Sequence, residues 1–153
     1  MTKNFLEINN VTFAASAQSK VNNVSLTIEN QGDIVCLLGP SGIGKTTILR
    51  TIAGLEKIQS GKIVLKNKIL SSDNTHIEPE NRNISMGFQD NSLFPHYTVL
   101  ENIKFGADRN KKKKKGLNLN EINKLLHIEH IVDKYPHQIS SGEAQRASLA
   151  RSL

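Results

Sequence analysis

The sequence has few of the features that secreted or membrane-spanning proteins depend on. Its 153 residues include a single cysteine, Cys36, which excludes an internal disulfide. The apolar run at residues 34–38 is far shorter than the roughly 18 residues that a membrane-spanning helix needs. The segment that begins at Met1 also lacks the apolar stretch of a secretory signal. We therefore expect a protein of the reducing cytosol.

Aromatic residues are scarce as well, and positive charge is concentrated in one place. The chain has no tryptophan, and its net charge of +6 comes mainly from five consecutive lysines at residues 111–115. Without these lysines, basic and acidic residues are nearly equal in number. No aromatic side chain is interleaved with them, and no nucleic-acid-binding motif flanks them. We interpret the block as a solvated, self-repelling loop and predict no nucleic-acid partner.

Hydrophobic patterns predict strands in the first half of the chain and helices in the second. Apolar residues that partly alternate with polar ones predict two antiparallel strands around residues 6–11 and 24–28, and a further hairpin over residues 63–70. Residues 34–38 are continuously apolar, which is typical of a strand buried on both faces of a parallel sheet. A short strand is predicted over residues 84–88, and helical spacing dominates the rest of the chain.

The segment Gly39-Pro40-Ser41-Gly42-Ile43-Gly44-Lys45-Thr46 matches the pattern G-x-x-x-x-G-K-[ST] at every fixed position. Its glycines permit positive φ angles, so that successive backbone N–H groups can point at phosphate oxygens. The helix expected from Lys45 onward would add the positive end of its dipole. In this pattern Lys45 contacts the β- and γ-phosphates, and the Thr46 hydroxyl binds Mg²⁺. A turn required only for tight packing would need neither side chain, so we predict a phosphate-binding site.

Two later segments narrow the class of phosphate-loop protein. Gln89 follows the strand predicted over residues 84–88, and Ser140-Ser141-Gly142-Glu143 precedes a helix-prone segment. Together with the phosphate loop, these segments resemble the nucleotide-binding subunit of ABC transporters, which carries a Walker A loop, a Q-loop glutamine and an LSGGQ signature in this order. A GTPase is the poorest alternative, because no [NT]-K-x-D motif for reading guanine follows the loop.

The resemblance implies an α/β fold: a P-loop NTPase with a RecA-like core, an N-terminal antiparallel β subdomain and a helical subdomain. On this interpretation, residues 1–153 form a partial nucleotide-binding domain. Residues 1–89 would form the β subdomain and the start of the core, residues 90–140 the helical subdomain, and residues 141–153 the signature helix. The sequence ends before the expected Walker B strand, whose acidic residues hold Mg²⁺ and help to position the attacking water.

The resemblance also implies how ATP and Mg²⁺ are bound. Gln89 would reach Mg²⁺ and the attacking water, and Lys45 would act with it in catalysis. Phe13 lies where the family has an aromatic residue that stacks on adenine, although an ordinary strand aromatic remains the alternative. The residues implied to bind ATP are Phe13, Gly39, Pro40, Ser41, Gly42, Ile43, Gly44, Lys45, Thr46, Thr47, Ser140, Ser141, Gly142 and Glu143, with Thr46 and Gln89 as the Mg²⁺ ligands.

The signature segment also has a structural interpretation of its own. Ser140 and Glu143 have the spacing of a capping box at the start of a helix, and a helix start can bind an anion. The resemblance implies that Ser140 and Gly142 bind the γ-phosphate held by the opposite subunit of a head-to-tail dimer, whereas the alternative is a capped helix and nothing else. Ser141 and Glu143 stand where the family usually has glycine and glutamine. Serine lacks glycine's backbone freedom and glutamate adds negative charge, so both weigh against efficient hydrolysis.

The implied partners are a second nucleotide-binding subunit and a transmembrane permease. Residues 92–103 resemble the permease-facing segment of bacterial solute importers. Together with residues 79–84, they are most similar to the ferric-iron, polyamine and sulfate group. The implied function is to couple ATP binding and hydrolysis to import of an inorganic ion or small solute, at the cytoplasmic face of the cell membrane. Without Walker B residues, the chain by itself is expected to be inactive and poorly soluble. The alternative is a non-catalytic remnant that binds nucleotide or a partner.

Overall fold

A computed structural model of the chain describes residues 4–14, 20–88, 92–109 and 118–153, with the backbone alone described for residues 106–109. The chain divides into two compact units, Met1–Ile84 and Ser85–Leu153, and each is described by itself. In the described ranges, no helix is both long and apolar enough to cross a membrane.

The first unit is built on an antiparallel sheet of 5 strands. The strands are β1 (Leu6–Ala14), β2 (Lys20–Ile28), β3 (Ser60–Leu65), β4 (Lys68–Ser72) and β5 (Thr75–His76), and they lie in the order β2-β1-β3-β4-β5. Each neighbouring pair is antiparallel, so the two predicted hairpins, β1–β2 and β3–β4, are confirmed. Helix α1 (Lys45–Ala53) lies between β2 and β3 in the chain.

A bulge in β1 explains how its apolar side chains share one face. Ile8 and Val11 are three residues apart, so a regular strand would point them to opposite faces. The pairing with β2 shifts between these two residues, and Asn10 has a positive φ of 50°. The extra residue returns Val11 to the buried face, where both side chains are completely buried. The core of the unit consists of Leu6, Ile8, Val11, Phe13, Ile48, Ile63 and Leu70.

The prediction of a buried strand over residues 34–38 is wrong for this structure. Ile34 is 94% exposed and Leu38 is 92% exposed, and the segment has no strand assignment. A doubly buried strand needs neighbours on both sides, and none of the described strands pairs with these residues. The strand predicted over residues 84–88 is likewise absent from the described part of the chain, and Phe88 is 43% exposed.

The second unit is helical, as the apolar spacing predicts. It contains α2 (Val99–Arg109), α3 (Leu119–Leu125) and α4 (Ser141–Ser152), with short 3₁₀ turns at Glu129–Ile131 and Pro136–Gln138. A 3₁₀ turn at Pro79–Asn81 belongs to the first unit. The core of the second unit consists of Val99, Ile103, Ile122, Ile128, Ile131, Ala147 and Ala150. Small alanines on α4 allow its backbone to lie close to the larger side chains of this core.

Asn102 organises the turn that precedes α2. Its side chain is completely buried, and its Nδ2 donates to the carbonyls of Phe94 (3.1 Å), Tyr97 (3.2 Å) and Thr98 (3.0 Å). Its Oδ1 accepts from the Phe94 amide at 2.7 Å. The guanidinium of Arg151 lies 5.1 Å from the centre of the Phe94 ring. One buried amide therefore supplements the backbone hydrogen bonds of this turn, in which the Tyr97 amide donates to the Phe94 carbonyl and the Asn102 amide to the Thr98 carbonyl.

Candidate phosphate-binding site

The predicted phosphate loop connects residues 34–38, which have no strand assignment, to the first turn of α1. Gly39, Gly42 and Gly44 have positive φ angles of 154°, 82° and 104°, which are unfavourable for residues with a Cβ atom. Gly44 is the N-cap of α1 and makes no side-chain cap hydrogen bond. The helix start therefore remains open to an anion, which would meet the first N–H groups and the positive end of the helix dipole.

Gly44 is also required by the space around it. A Cβ atom at this position would lie 2.9 Å from Cγ2 of Val21 and 3.3 Å from Cε2 of Phe13. The start of α1 thus rests directly on side chains of β1 and β2. A substitution at Gly44 would combine backbone strain with a clash, so both the conformation and the packing of the loop depend on this glycine.

Lys45 spans the loop through its side chain. Its Nζ donates to the carbonyl of Gly39 at 2.7 Å and to the carbonyl of Pro40 at 2.7 Å. Thr46 is exposed at the first turn of α1, and the carbonyl of Thr47 accepts from the Thr51 hydroxyl at 2.7 Å. The ammonium group is therefore held at the concave side of the loop by two uncharged acceptors, which a phosphate oxygen can replace.

Phe13 does not have the position that adenine stacking requires. Its side chain is 1% exposed, and it belongs to the core beneath Gly44. A base can stack only on a ring that has an accessible face. The structure thus disagrees with the predicted stacking role and agrees with the alternative, an ordinary core aromatic of a strand. The physical reason is the bulge in β1, which places Phe13 on the buried face with Val11.

The capping box predicted at the start of α4 is present. Glu143 Oε2 accepts from the amide and from the hydroxyl of Ser140, each at 2.8 Å, and the Glu143 amide donates to Ser140 Oγ at 3.3 Å. Glu143 Oε1 lies 2.8 Å from Nε2 of His130. The hydrogen bonds from Ser140, followed by that from His130, lower the pKa of Glu143 to about 2. Both oxygens of this carboxylate are therefore engaged within the protein, and its negative charge persists at neutral pH.

The two neighbouring signature residues are part of the helix. Ser141 is the first residue of α4, so its helical conformation does not need the backbone freedom of glycine. At Gly142, a Cβ atom would lie 3.7 Å from Nη1 of Arg146, an ordinary van der Waals distance. The fold therefore does not require glycine at position 142, although glycine lowers helix stability by about 1 kcal/mol relative to alanine.

The structure places the predicted site residues in both units. Residues 39–47 belong to the first unit, and residues 140–143 belong to the second. Gln89 and the lysines at 111–115 lie outside the described residues, so the predictions for them stay predictions. Within the described part of the chain, no group of three or more His, Cys, Asp or Glu side chains could hold a metal ion.

The sequence analysis did not identify two polar side chains that contact α1 and α4, namely Arg82 and His130. His130 contacts Glu143, but nothing in the 3₁₀ turn that carries it predicts this partner. Arg82 is 2% exposed, although arginine is rarely buried, and its guanidinium contacts the end of α1. The only available signal was its place in the segment 79–84, which contributed to the similarity to the ferric-iron, polyamine and sulfate group.

A loop of glycines with positive φ precedes α1, and the Lys45 ammonium donates to the carbonyl of Gly39 within this loop, with Thr46 next in the chain. This arrangement is suited to binding phosphate groups. The fold and this site together define a phosphate-loop nucleotide-binding protein. Comparison with known proteins identifies the family within this class. A profile of the family described as ABC transporter matches residues 21–153, so the chain belongs to the ABC transporter family and contains part of its ATP-binding domain.

The curated relatives are ATP-binding proteins of importers and related transporters. The chain is 44% identical over 150 residues to the putrescine transport ATP-binding protein PotG of Escherichia coli K12, covering 97% of this chain and 38% of PotG. It is 43% identical to the probable sulfate/thiosulfate import protein CysA of Chlorella vulgaris, covering 95% of this chain and 61% of CysA. It is 42% identical to the Fe(3+) ions import protein FbpC of Escherichia coli O157:H7, covering 99% of this chain and 42% of FbpC.

Solved structures of ABC cassettes have the same fold. A nucleotide-free ATP-binding cassette from an ABC transporter matches with a TM-score of 0.79 and 25% identity, covering 99% of this chain and 65% of that chain. The dimeric structure of MJ0796, a bacterial ABC transporter cassette, matches with a TM-score of 0.74 and 27% identity, covering 97% and 68%. The expected family and fold class, and the similarity to the iron, polyamine and sulfate group, are therefore confirmed. The chain spans 38% to 61% of the length of the three curated relatives above.

Proposed function

We propose that residues 39–46 bind MgATP and that the chain is the ATP-binding part of a solute importer. The observation that carries this proposal is the open start of α1, where three glycines with positive φ precede a helix without a side-chain cap and Lys45 donates to carbonyls of the loop. When ATP binds, the Lys45 ammonium moves from the carbonyls of Gly39 and Pro40 to the β- and γ-phosphates. A charged phosphate is a stronger acceptor than a neutral carbonyl, so this exchange is favourable.

Mg²⁺ fits the groups present at this site. The Thr46 hydroxyl is an exposed oxygen donor beside Lys45, and Mg²⁺ takes most of its remaining ligands from phosphate oxygens and water. A dedicated cluster of carboxylates is therefore not needed for binding. We assign Gln89 as the second protein group that reaches the ion and the attacking water. The bound ion would neutralise charge on the phosphates during transfer.

Ser140 and Gly142 are proposed to contact the γ-phosphate held by a second nucleotide-binding subunit in a head-to-tail dimer. The free space at Gly142 supports this role, because the fold gives no other reason for glycine inside a helix. Close approach of a ligand to the backbone is such a reason. The dimeric form of the similar cassette MJ0796 supports the assembly.

The names of the relatives support a proposal for the class of substrate and for a membrane partner. PotG, CysA and FbpC are named for putrescine, sulfate or thiosulfate, and Fe(3+) ions. We propose import of an inorganic ion or small solute of this kind, with ferric iron as the first candidate. The turn at residues 94–98, held by Asn102, would contact the permease at the cytoplasmic face of the membrane.

Titration of the chain with a fluorescent ATP analogue in the presence of Mg²⁺ tests the binding step. We expect saturable binding that Lys45→Ala weakens by at least tenfold. Lys68→Ala removes an equivalent exposed charge at the start of β4 and should change the Kd by less than twofold. Equal binding by the Lys45→Ala variant and the parent chain would rule out the proposed site.

The chain by itself is proposed to bind ATP without robust turnover. Residues 34–38, which lead into the phosphate loop, are exposed and have no described strand partner, so the loop lacks support on this side. Phosphate release by the purified chain measures turnover directly. Rapid release that Lys45→Ala abolishes would contradict this part of the proposal.

A further inference from the structure

We propose that Arg82 is a positioning residue for the phosphate loop. It fixes the C-terminal end of α1, and α1 carries the loop at its N-terminal end. The inference rests on the proposed function only in taking residues 39–46 as the nucleotide site. Every contact that supports it lies in the first unit.

The guanidinium of Arg82 has a hydrogen-bond partner for each of its N–H directions. The group is almost fully buried, with 2% of the residue exposed. Its acceptors are the carbonyls of Ile77 (2.6 Å), Thr51 (3.0 Å) and Ile52 (3.0 Å), the hydroxyl of Ser71 (2.8 Å) and Nδ1 of His76 (3.3 Å). Because arginine only donates, Nδ1 of His76 accepts in this contact. Arg82 thus joins α1 to β4, β5 and the loop before the 3₁₀ turn.

The charge of Arg82 is balanced mainly by backbone dipoles. Burial lowers the pKa of this guanidinium and the nearby Glu78 raises it, but an arginine side chain remains protonated. The carbonyls of Thr51 and Ile52 belong to the last turn of α1, where the helix dipole is negative. The buried cation is a second donor to the Thr51 carbonyl, which also accepts from the Gly54 amide, and a donor to the Ile52 carbonyl at the helix end. Loss of the cation would expose this end of α1 to the cost of unsatisfied buried acceptors.

Gly54 shows how closely the guanidinium approaches the helix end. Gly54 is the C-cap of α1 with a φ of 90°, and its amide donates to the Thr51 carbonyl at 3.1 Å. A Cβ atom at this position would clash with Nε of Arg82 and would lie 2.8 Å from its Cζ. The turn after α1 is therefore shaped to admit this side chain. Such close fit is expected where a contact sets the position of a helix.

Helix α1 is anchored at both ends, while the segment before it is not. At the N-terminal end, Gly44 rests on Phe13 and Val21. At the C-terminal end, Arg82 holds Thr51 and Ile52. Residues 34–38 are exposed and pair with none of the described strands, so they cannot fix the loop. The position of the phosphate loop on the sheet is consequently set through α1. Packing around Gly44 holds the N-terminal end of this helix, and the hydrogen bonds of Arg82 hold its C-terminal end.

Hydrogen exchange of the nucleotide-free full chain tests this inference. The reporter is the Ile48 amide, whose bond to the Gly44 carbonyl at 2.9 Å closes the first turn of α1. We expect Arg82→Lys, which cannot reproduce the planar set of donors, to speed exchange at Ile48 at least tenfold. The reference amide is Gln59, which donates to the Thr12 carbonyl at 2.8 Å, and it should change less than threefold. A role limited to general stability would instead speed both amides equally.

Matched variants separate positioning from loss of folding. Arg50→Met removes an arginine from the same helix, where it pairs with Glu56 near the surface, and should leave Ile48 exchange within twofold. If Arg82→Lys does not fold, Ser71→Ala removes one acceptor of Arg82 and should still speed exchange at Ile48 severalfold. In the folded variants, the Kd for the ATP analogue should rise several-fold in parallel.

The outcomes distinguish this inference from the proposed function. Unchanged Ile48 exchange in a folded Arg82→Lys or Ser71→Ala chain would overturn the inference, whatever the chain binds. Failure of the parent chain to bind the ATP analogue would instead count against the nucleotide site, and the exchange experiment would still decide the role of Arg82.

Discussion

Ser140 and Glu143 hold each other through three hydrogen bonds at the start of α4. The Ser140 amide and hydroxyl both donate to Glu143 Oε2 at 2.8 Å, and the Glu143 amide donates back to Ser140 Oγ at 3.3 Å. The hydroxyl hydrogen of Ser140 thus points at a carboxylate of its own helix. A γ-phosphate arriving from another subunit would have to compete with this carboxylate for the same hydrogen.

Replacement of this carboxylate should strengthen nucleotide-dependent association. Glu143→Gln removes one negative charge beside the incoming phosphate, and the glutamine amide can still complete a capping box. We expect a several-fold lower dimer dissociation constant with a non-hydrolysable ATP analogue and Mg²⁺, measured by sedimentation velocity. The matched control is Glu121→Gln, since Glu121 makes the same capping box with Asn118 on α3. Equal or weaker association of the Glu143→Gln chain would contradict the prediction.

The capping carboxylate should also make stability depend on pH in the acid range. Hydrogen bonds from Ser140, then the contact with His130, lower the pKa of Glu143 from 4.5 to about 2. A lowered pKa means that the folded state prefers the ionised form. The stabilisation is therefore fully present above about pH 4.5 and is lost as the pH falls towards 2. Thermal unfolding of the parent chain and of Glu143→Gln should show a Tm difference at pH 6 that shrinks steadily between pH 4.5 and pH 2. A constant difference over this range would count against the assignment.

Phe13 should contribute to stability and not to recognition of the base. The side chain is 1% exposed in the sheet core, so Phe13→Ala should lower the free energy of unfolding by about 3–5 kcal/mol. Phe13→Leu keeps most of the volume and should cost less, with the ratio of ATP to UTP affinity unchanged. The partly exposed Phe88, at 43%, provides the control variant Phe88→Leu, which should cost little stability. Urea denaturation and calorimetric titration provide the two measurements. A selective loss of ATP affinity in the Phe13→Leu chain would restore the stacking hypothesis.

The elements that the sequence predicts well are those whose signals are local. Alternating apolar residues define β1 and β2, and the glycine pattern defines the loop before α1. Glycine commonly ends helices, and Gly54, which directly follows α1, is its C-cap with a φ of 90°. In each case, neighbouring residues along the chain supply the interaction, so the pattern contains enough information.

Two of the failures arise because the partner lies far away in the sequence, and the third arises from a local bulge. Residues 34–38 have the composition of a buried strand, but burial depends on other strands, and none of the described strands covers them. Arg82 has acceptors at Thr51 and Ser71, which are 31 and 11 residues away. Phe13 follows a bulge that no periodic pattern contains, so its direction could not be read from alternation. Composition thus predicts which apolar residues are expected to be buried, whereas only the structure shows which of them are buried.

The exposed run at residues 34–38 should cause the chain to associate. Ile34 is 94% exposed and Leu38 is 92% exposed in a segment that pairs with none of the described strands, and exposed apolar segments can associate with other chains. We expect Ile34→Lys combined with Leu38→Lys to reduce concentration-dependent light scattering severalfold without lowering the Tm. The matched control, Ile8→Lys, places the same charge in the core and should unfold the first unit. Unchanged scattering in the doubly substituted chain, with the fold intact, would show that this segment is not responsible.

Asn102 should determine the rigidity of the turn proposed to contact the permease. Its side chain is completely buried and contacts three carbonyls and the Phe94 amide. Asn102→Ala would remove these side-chain partners from the Phe94 amide and the Tyr97 carbonyl, whereas the Phe94 and Thr98 carbonyls would keep backbone donors. We expect a loss of about 1–3 kcal/mol in the free energy of unfolding. We also expect exchange of the Phe94 amide, bonded to Oδ1 at 2.7 Å, to be at least tenfold faster.

A control substitution of an asparagine on a helix surface shows whether the losses predicted for Asn102→Ala depend on its buried position or would follow from removing any asparagine side chain. Asn120→Ala, at an exposed position of α3, should change neither the unfolding free energy nor Phe94 exchange appreciably. Asn102→Asp is the more informative partner variant. It keeps an oxygen for the Phe94 amide and for Nη1 of Arg151, which lies 3.5 Å from Oδ1 of Asn102 and can pair with the new carboxylate. It loses the donors to the carbonyls of Phe94, Tyr97 and Thr98, so it should still be less stable than the parent chain. If Asn102→Asp were as stable as the parent chain, the carbonyl contacts of Asn102 could not be what holds this turn.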